Sequence, residues 1–227
     1  MLVDLDDTLL DYSGGVDGCW EAACEAAPNV ERAALLAALL ESRQWFWSDP
    51  VRHRRERVDM LGAWTKIAAR ALERCGDTDP GTAAALAGIY ADRRRAAWKL
   101  FPDAVTFLAR LREQRIPLAL VTNGDARHQR DKIARHDLAR WFDAILIEGE
   151  MGYGKPEETV YREALRRLGV HAADAWMIGD HLEFDVGAPQ RLGLRGVWVD
   201  RAGAGLPAKA DVVPHRIVRD LSEMLDR

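Results

Sequence analysis

Two carboxylates two residues apart, Asp4 and Asp6, close the apolar start Met1-Leu2-Val3, with Asp7 and Thr8 following. In an extended chain, side chains two apart point to the same side. Carboxylates forced together repel unless a cation or a proton sits between them. The spacing therefore suggests a divalent-metal site at the end of a buried strand, where open parallel sheets bind their ligands. The competing reading is an exposed acidic turn, Asp6-Asp7-Thr8, and the first eight residues alone do not choose between them.

Later segments have the same form. The apolar run ending at Val121 is followed by Thr122-Asn123-Gly124. The run ending at Ile147 is followed by Glu148-Gly149-Glu150 and then Gly154-Lys155-Pro156. The run ending at Ile178 is followed by Gly179-Asp180-His181-Leu182-Glu183-Phe184-Asp185. Acids with hard oxygen donors suit Mg²⁺. A Thr hydroxyl, Gly-rich backbone and a Lys suit a phosphate. With a carboxylate nucleophile, the set describes phosphoryl transfer through an aspartyl-phosphate. Each piece alone has a plainer reading: a turn at 122–124, a helix lead-in at Lys155-Pro156, a capping pair at Asp180 and Asp185. Those readings lose jointly, because four coincidences would be needed.

The elements that must position these groups follow from the pattern. From Phe101 onward, apolar runs alternate with helical segments. Strands are expected at Ile116–Val121, Phe142–Ile147, Trp176–Ile178 and Gly196–Val199, with a last short one at Asp211–Val213. Helices are expected at Ala104–Gln114, Gln129–His136, Glu157–Leu168, Val186–Leu192 and Leu221–Leu225. Such alternation argues a parallel sheet with right-handed crossovers. Leu9–Gly15 reads as a turn-rich exit from strand one, with Ser13 or Asp17 capping the next helix. Between Val16 and Trp98 the signals are helical only, broken at Pro28-Asn29, Ser48–Pro50 and Asp77–Gly81, which gives about four helices. The expected architecture is α/β: a Rossmann-like parallel-sheet core, with helices on both faces, from residues 1–15 and 99–227. An all-helical cap occupies 16–98.

The 227 residues carry a net charge of −4 with both signs mixed, so no basic excess points to a nucleic-acid polymer. No apolar run is long enough for a membrane span, and no leader pattern precedes Asp4. The odd cysteines Cys19, Cys24 and Cys75 lack metal-ligand spacing and read as reduced thiols, so a cytoplasmic setting is expected. In the cap, Arg52–Arg57 reads as a solvated helix face, or more sharply as a source of one Arg for an anionic substrate tail. Trp45, Phe46, Trp47 and Trp64 read as helix packing. His53, His128, His136, His171 and His215 are scattered, and His181 flanks the fourth segment.

In order, D-L-D-D-T-L, V-T-N-G, the Lys of G-Y-G-K-P, and G-D-H-L-E-F-D resemble the four motifs of the haloacid dehalogenase superfamily, and the helical insert resembles its helical cap type. The resemblance implies Asp4 as nucleophile and Asp6 as general acid/base. It implies that Thr122 and the N–H groups of Asn123 and Gly124 hold the phosphoryl oxygens, with Lys155 offsetting charge. Mg²⁺ would be held by Asp4, the Asp6 carbonyl and Asp180, with Asp185 orienting the metal shell. The cap would close over the site and set specificity. A carboxylate at Asp6, with Asp180 present, favours a phosphatase over a dehalogenase. The stretch through Gln129 and Lys132 to Lys155-Pro156 is similar to members acting on nucleoside monophosphates or sugar phosphates. The expected partner is a small phosphorylated metabolite, and the expected assembly a monomer or homodimer. A phosphomutase, a dehalogenase and a non-catalytic binding protein are the alternatives. Strand one is shorter than family members usually have.

Overall fold

The structure is a computed structural model that describes residues 1–225. By contacts the chain divides into two compact units, Met1–Tyr12 with Lys99 onward, and Ser13–Trp98. Positions 226 and 227 of the expected core segment lie outside the described residues.

The first unit is built on a six-stranded parallel sheet. In chain order the strands of this unit are β1 (Leu2–Val3), β2 (Leu10–Asp11), β3 (Lys99–Leu100), β4 (Ala119–Thr122), β5 (Ala144–Ile147), β6 (Trp176–Gly179), β7 (Arg195–Val199) and β8 (Arg216–Val218). The sheet order is β5-β4-β1-β6-β7-β8, and β2 pairs antiparallel with β3 apart from it. Two residues suffice for β1 because it is central. Leu2 and Val3 pair with Ala119 and Leu120 on one side and with Met177 and Ile178 on the other. Both are fully buried, as are Leu120, Leu146 and Ile178. Burial on both faces is what makes parallel strands read as unbroken apolar runs. Leu2, Ala119, Val121, Leu146 and Met177 pack with Val160, Tyr161 and Ala164 of a helix at Glu158–Leu168. From β1 the chain steps to β4 and β5, then returns to β6 across β1. That reversal puts a switch point at the carboxyl end of β1, the place where open α/β sheets hold ligands.

The helices number α1 (Val16–Ala23), α2 (Arg32–Ser48), α3 (Pro50–Glu56), α4 (Met60–Arg74), α5 (Pro80–Ala97), α6 (Ala104–Glu113), α7 (Ala126–Arg135), α8 (Glu148–Met151), α9 (Glu158–Leu168) and α10 (Ala188–Arg191). The second unit is therefore five helices rather than about four. The extra boundary lies at Asp59, whose carboxylate accepts from Gly62 N and starts α4 without the following Pro that marks Asp49-Pro50 and Asp79-Pro80. Helix α1 is capped by neither Ser13 nor Asp17. It begins after Gly15, which takes a left-handed conformation at φ 68°. The core of this unit centres on Trp20, stacked on Tyr90 at 3.7 Å, with Trp64 edge-on to Tyr90 at 5.1 Å. Phe46 and Trp64 are buried as expected, but Trp45 stays 45% exposed between the guanidinium groups of Arg52 and Arg70, at 3.9 and 3.8 Å. Arg52 also donates from Nε to Phe46 O at 2.6 Å, and buried Glu56 pairs with Arg55 and Lys66. The Arg-rich segment thus staples its own unit instead of being wholly solvated.

Other expectations shift for local reasons. Strand β4 starts at Ala119, not Ile116. Pro117 has no N–H to give a ladder, and Leu118 N donates to the Asp143 carboxylate instead. Asp211–Val213 forms no strand. Pro214 follows it, and Val213 O accepts from the Gln190 side chain. The last strand lies beyond, at Arg216–Val218. The helix expected at Val186–Leu192 is instead a π-helical turn, Leu182–Gly187, running into α10. The final helix is a 3₁₀ turn, Leu221–Met224, closed by an Asp220–Glu223 capping box. Within the expected turn-rich exit Leu9–Gly15, Leu10 and Asp11 instead form β2 and pair with β3.

Candidate active site

Every segment singled out at a strand end comes to the carboxyl edge of the sheet. Asp4 leaves β1 with its N–H bonded to Ile178 O of β6, so its place at the central strand's end is fixed by backbone. Its side chain is buried. Oδ1 accepts from Lys155 Nζ at 2.6 Å and Oδ2 from Thr8 Oγ1 at 3.0 Å. Lys155 Nζ also donates to Asp185 Oδ1 at 2.6 Å, and the second Asp185 oxygen accepts from His181 N at 3.0 Å. The π-helical turn after β6 brings Asp185 back beneath the strand end. Such single π turns recur at functional sites. Gly179 makes room for it: a Cβ there would lie 2.3 Å from Asp185 Cγ. Asp180 is anchored through its carbonyl, which accepts from Trp198 Nε1 at 2.7 Å.

One carboxylate oxygen from each of Asp4, Asp180 and Asp185 can be chosen so that all lie within 4.8 Å of one another. Burial pushes Asp4 up to about 7 and Asp180 up to about 9, the charges of Asp4 and Asp185 adding to burial at Asp180. Burial alone would lower Lys155, but Asp185 and Asp4 outweigh it and raise its pKa, so Lys155 stays a cation. Asp4 and Asp185 share the one Lys155 ammonium with Asp180 close beside them, a concentration of carboxylates that a hard divalent cation would balance. The donor set therefore fits Mg²⁺.

The Asp6 carboxylate stands on a different set of partners. Lys132 Nζ donates to both its oxygens at 2.8 Å, and Gln129 Nε2 to Oδ2 at 3.0 Å. Gln129 Nε2 also reaches Thr122 Oγ1 at 2.6 Å and Asn123 O at 3.0 Å. Thr122 is buried at the end of β4. Asn123 has a second task that its sequence position did not announce. Its side chain bonds Lys155 twice, Nδ2 to Lys155 O at 2.7 Å and Oδ1 from Lys155 N at 2.8 Å, tying two site loops together. Gly124, at φ 116°, was expected to offer its N–H to phosphoryl oxygens. That N–H is taken by the buried Glu148 carboxylate at 2.9 Å.

Thr8 and Glu148 carry no individual role in the sequence, and Gln129 and Lys132 stand out there only as part of a stretch similar to family members. The signal available for the last two was their i, i+3 spacing on α7, whose buried face is Gln129, Lys132 and Ile133. Polar residues at that spacing ordinarily read as a solvated stripe. Among the described residues, no helix is long and apolar enough to cross a membrane.

Known proteins share the family and the fold. Residues 1–193 match the family profile described as haloacid dehalogenase-like hydrolase. A phosphoserine phosphatase of Thermus thermophilus is 32% identical over 99% of this chain and 96% of that protein. A glyceraldehyde 3-phosphate phosphatase of Methanopyrus kandleri is 32% identical over 100% of this chain and 95% of that protein. Among solved structures, a HAD-hydrolase of Bacillus subtilis bound to magnesium shares the fold. Its TM-score is 0.76 at 21% identity, over 98% of this chain and 95% of that one. A 2-haloacid dehalogenase of Pseudomonas syringae has a TM-score of 0.69 at 27% identity, over 99% of this chain and 95% of that one.

Proposed function

The chain belongs to the haloacid dehalogenase-like hydrolases, and from that premise we propose that this hydrolase of phosphoric monoesters is Mg²⁺-dependent and works through an aspartyl-phosphate on Asp4. The observation that carries the reading is the cluster of buried Asp4 and Asp185 and half-buried Asp180 around Lys155, with a second carboxyl, Asp6, beside it. Asp4, Asp180 and the Asp6 carbonyl would hold Mg²⁺, with Asp185 orienting the shell directly or through Lys155. When bound, the ion neutralises charge on the phosphoryl oxygens as a Lewis acid.

The chain's own groups divide the work. An Asp4 oxygen attacks phosphorus, the bond from phosphorus to the ester oxygen breaks, and Asp6 gives its proton to the departing alkoxide. Water then attacks the phosphoryl group, the bond to Asp4 breaks, and Asp6 takes the water proton. Lys155 keeps the negative charge on nucleophile and phosphate from repelling. Thr122 donates to a phosphoryl oxygen.

The substrate class is a small phosphomonoester of a metabolite. Two relatives matched over nearly their whole length are named for phosphoserine and glyceraldehyde 3-phosphate, both three-carbon esters, and a third for ribulose 1,5-bisphosphate, which supports a small phosphorylated metabolite. A dehalogenase is less favoured despite the structural likeness, because Asp6 and Asp180 both supply carboxylates that a metal-free displacement at carbon does not use. The test is hydrolysis of 4-nitrophenyl phosphate with Mg²⁺ and with EDTA, wild type beside Asp4→Asn. Metal-dependent release that vanishes in the variant is expected. Full activity in the variant would refute the nucleophile, and chloride release from a 2-haloacid would turn the assignment to the dehalogenase. Transfer of phosphate to sugar instead of water would turn it to a mutase.

A further inference from the structure

Two buried polar side chains on α7 have no part in the chemistry so far, and they touch both ends of it. Lys132 is 1% exposed. Its ammonium chelates both oxygens of Asp6 at 2.8 Å, donates to Gln129 Oε1 at 2.7 Å and sits 3.8 Å from the centroid of the Tyr12 ring. Three N–H donors meet three oxygen atoms and a π face, so the group is spent on orienting its neighbours. Gln129, also 1% exposed, lies one turn earlier on the same face. Its amide nitrogen reaches Asp6 Oδ2, Thr122 Oγ1 and Asn123 O. A Thr oxygen that accepts from Gln129 keeps its own proton to donate. Among the described residues, the acceptor for that proton is Asn123 O, at a weak 3.4 Å. The Thr122 hydroxyl is thus set up as a donor to an incoming oxygen.

We propose that Lys132 and Gln129 are positioning residues, a clamp on one face of α7 that holds the Asp6 carboxyl and the Thr122 hydroxyl in register with each other. The proposal rests on the phosphatase reading, since it gives Asp6 a proton to deliver. Burying a lysine and a glutamine side by side costs desolvation that only a complete set of partners offsets. Here the partners are two groups with different tasks in the proposed reaction: the leaving oxygen for Asp6, a phosphoryl oxygen for Thr122. A residue that merely filled the core would have been cheaper as Leu or Met at both positions.

The clamp predicts a dependence on the leaving group. Protonation matters most when the leaving oxygen is basic. For Lys132→Met, kcat/KM should fall more for phenyl phosphate than for 4-nitrophenyl phosphate, by roughly tenfold, a share of the ~10²–10⁴ that general acid catalysis supplies. Plotted against leaving-group pKa across substituted phenyl phosphates, log kcat/KM should steepen in Lys132→Met and approach the wild-type slope again in Lys132→Arg. In an Asp6→Asn background the Lys132→Met change should add nothing, because the group it positions is gone. Equal losses on all esters, or additive losses in the double variant, would reduce Lys132 to a structural role and overturn the clamp. Wild type that hydrolyses no ester would instead remove the phosphatase reading beneath it, so the two failures are distinct. Should Lys132→Met fail to fold by near-UV circular dichroism, Gln129→Leu carries the same test. That variant should lower kcat through Thr122 and steepen the slope through Asp6, and an unchanged kcat and slope would overturn the proposal.

Discussion

At the scale of single residues, the site is organised by desolvation. Asp4 and Asp180 are lifted to about 7 and about 9 from 3.8 because water is kept from them. Between those values and the unfolded one, the native state binds more protons than the unfolded chain. Stability of the metal-free protein should therefore fall as pH rises through that window. A cation that replaces the protons reverses the trend. The rise in Tm on adding Mg²⁺ should accordingly be larger at about pH 8.5 than at about pH 5.5, as scanning calorimetry at both pH values with and without Mg²⁺ would record. A rise independent of pH would mean that the ion does not displace protons from these acids. Thr122 makes a separate prediction. Thr122→Val keeps the shape and removes the hydroxyl, and the loss of one preorganised donor should lower kcat about 10²–10³-fold. Steady-state kinetics on 4-nitrophenyl phosphate would show it, with a modest loss in melting temperature because the buried 2.6 Å contact from Gln129 Nε2 to Thr122 Oγ1 is removed while Gln129 keeps Asp6 and Asn123 O. Of these groups, the acids and the lysine were legible from type and place, each just beyond an apolar run. Gln129, Lys132 and Glu148 were not, because a buried polar side chain looks like a solvated one until its partners are known.

At the scale of elements, the catalytic edge depends on how each loop enters or leaves regular structure. Asp125 shows this on α7. Its carboxylate accepts from His128 N at 2.7 Å and starts the helix three residues before the expected Gln129. That cap sets the phase that turns Gln129 and Lys132 inward. Asp125→Ala should cost about 1 kcal/mol of stability, and Asp125→Ser should recover most of it. Urea melts of the three proteins decide this, and equal midpoints would show that the cap is not what holds α7. The strands were legible where burial on both faces leaves a continuous run, as in Leu120-Val121, Leu146-Ile147, Met177-Ile178 and Val197–Val199. They were illegible at the sheet's end. Strand β8 is an edge strand with Ile217 41% exposed and Arg216 at its head, so its sequence lacks the run. The apolar pair Val212-Val213 was read in its place, although Pro214 and the exposure of Val213 keep it out of the ladder. The π-helical turn at Leu182–Gly187 was hidden because Gly179–Asp185 reads as a polar strand end and the helical signal is expected only from Val186.

At the scale of the whole molecule, the chain leaves the sheet unit after Tyr12 and re-enters it at Lys99, and the two crossings are stitched together. Leu10 pairs with Leu100, Asp11 with Lys99, and Phe101 N donates to Leu9 O at 2.9 Å. The ends of the excursion therefore sit side by side without help from what lies between them. The sheet unit also has its own buried cluster, from Leu2 through Leu165 to Leu194, and the helical unit has another around Trp20 and Tyr90. A unit with its own core and adjacent ends is expected to fold alone. Replacing Ser13–Trp98 by a Gly-containing turn of about four residues, a length that hairpins accept, should yield a protein with one cooperative melt. Because Asp4, Asp180 and Asp185 all belong to the retained segments, that protein should keep its response to Mg²⁺, worth about 2.7 kcal/mol at a hundred times the dissociation constant. Calorimetry with and without the ion gives two independent readings. A broad, non-cooperative transition would show that the sheet needs the helical unit to fold. A sharp transition that ignores Mg²⁺ would show that the three carboxylates are not sufficient as the ion's anchor. A sharp transition raised by Mg²⁺ would locate metal binding in the sheet unit alone and leave substrate choice as the function still to be assigned to the helices.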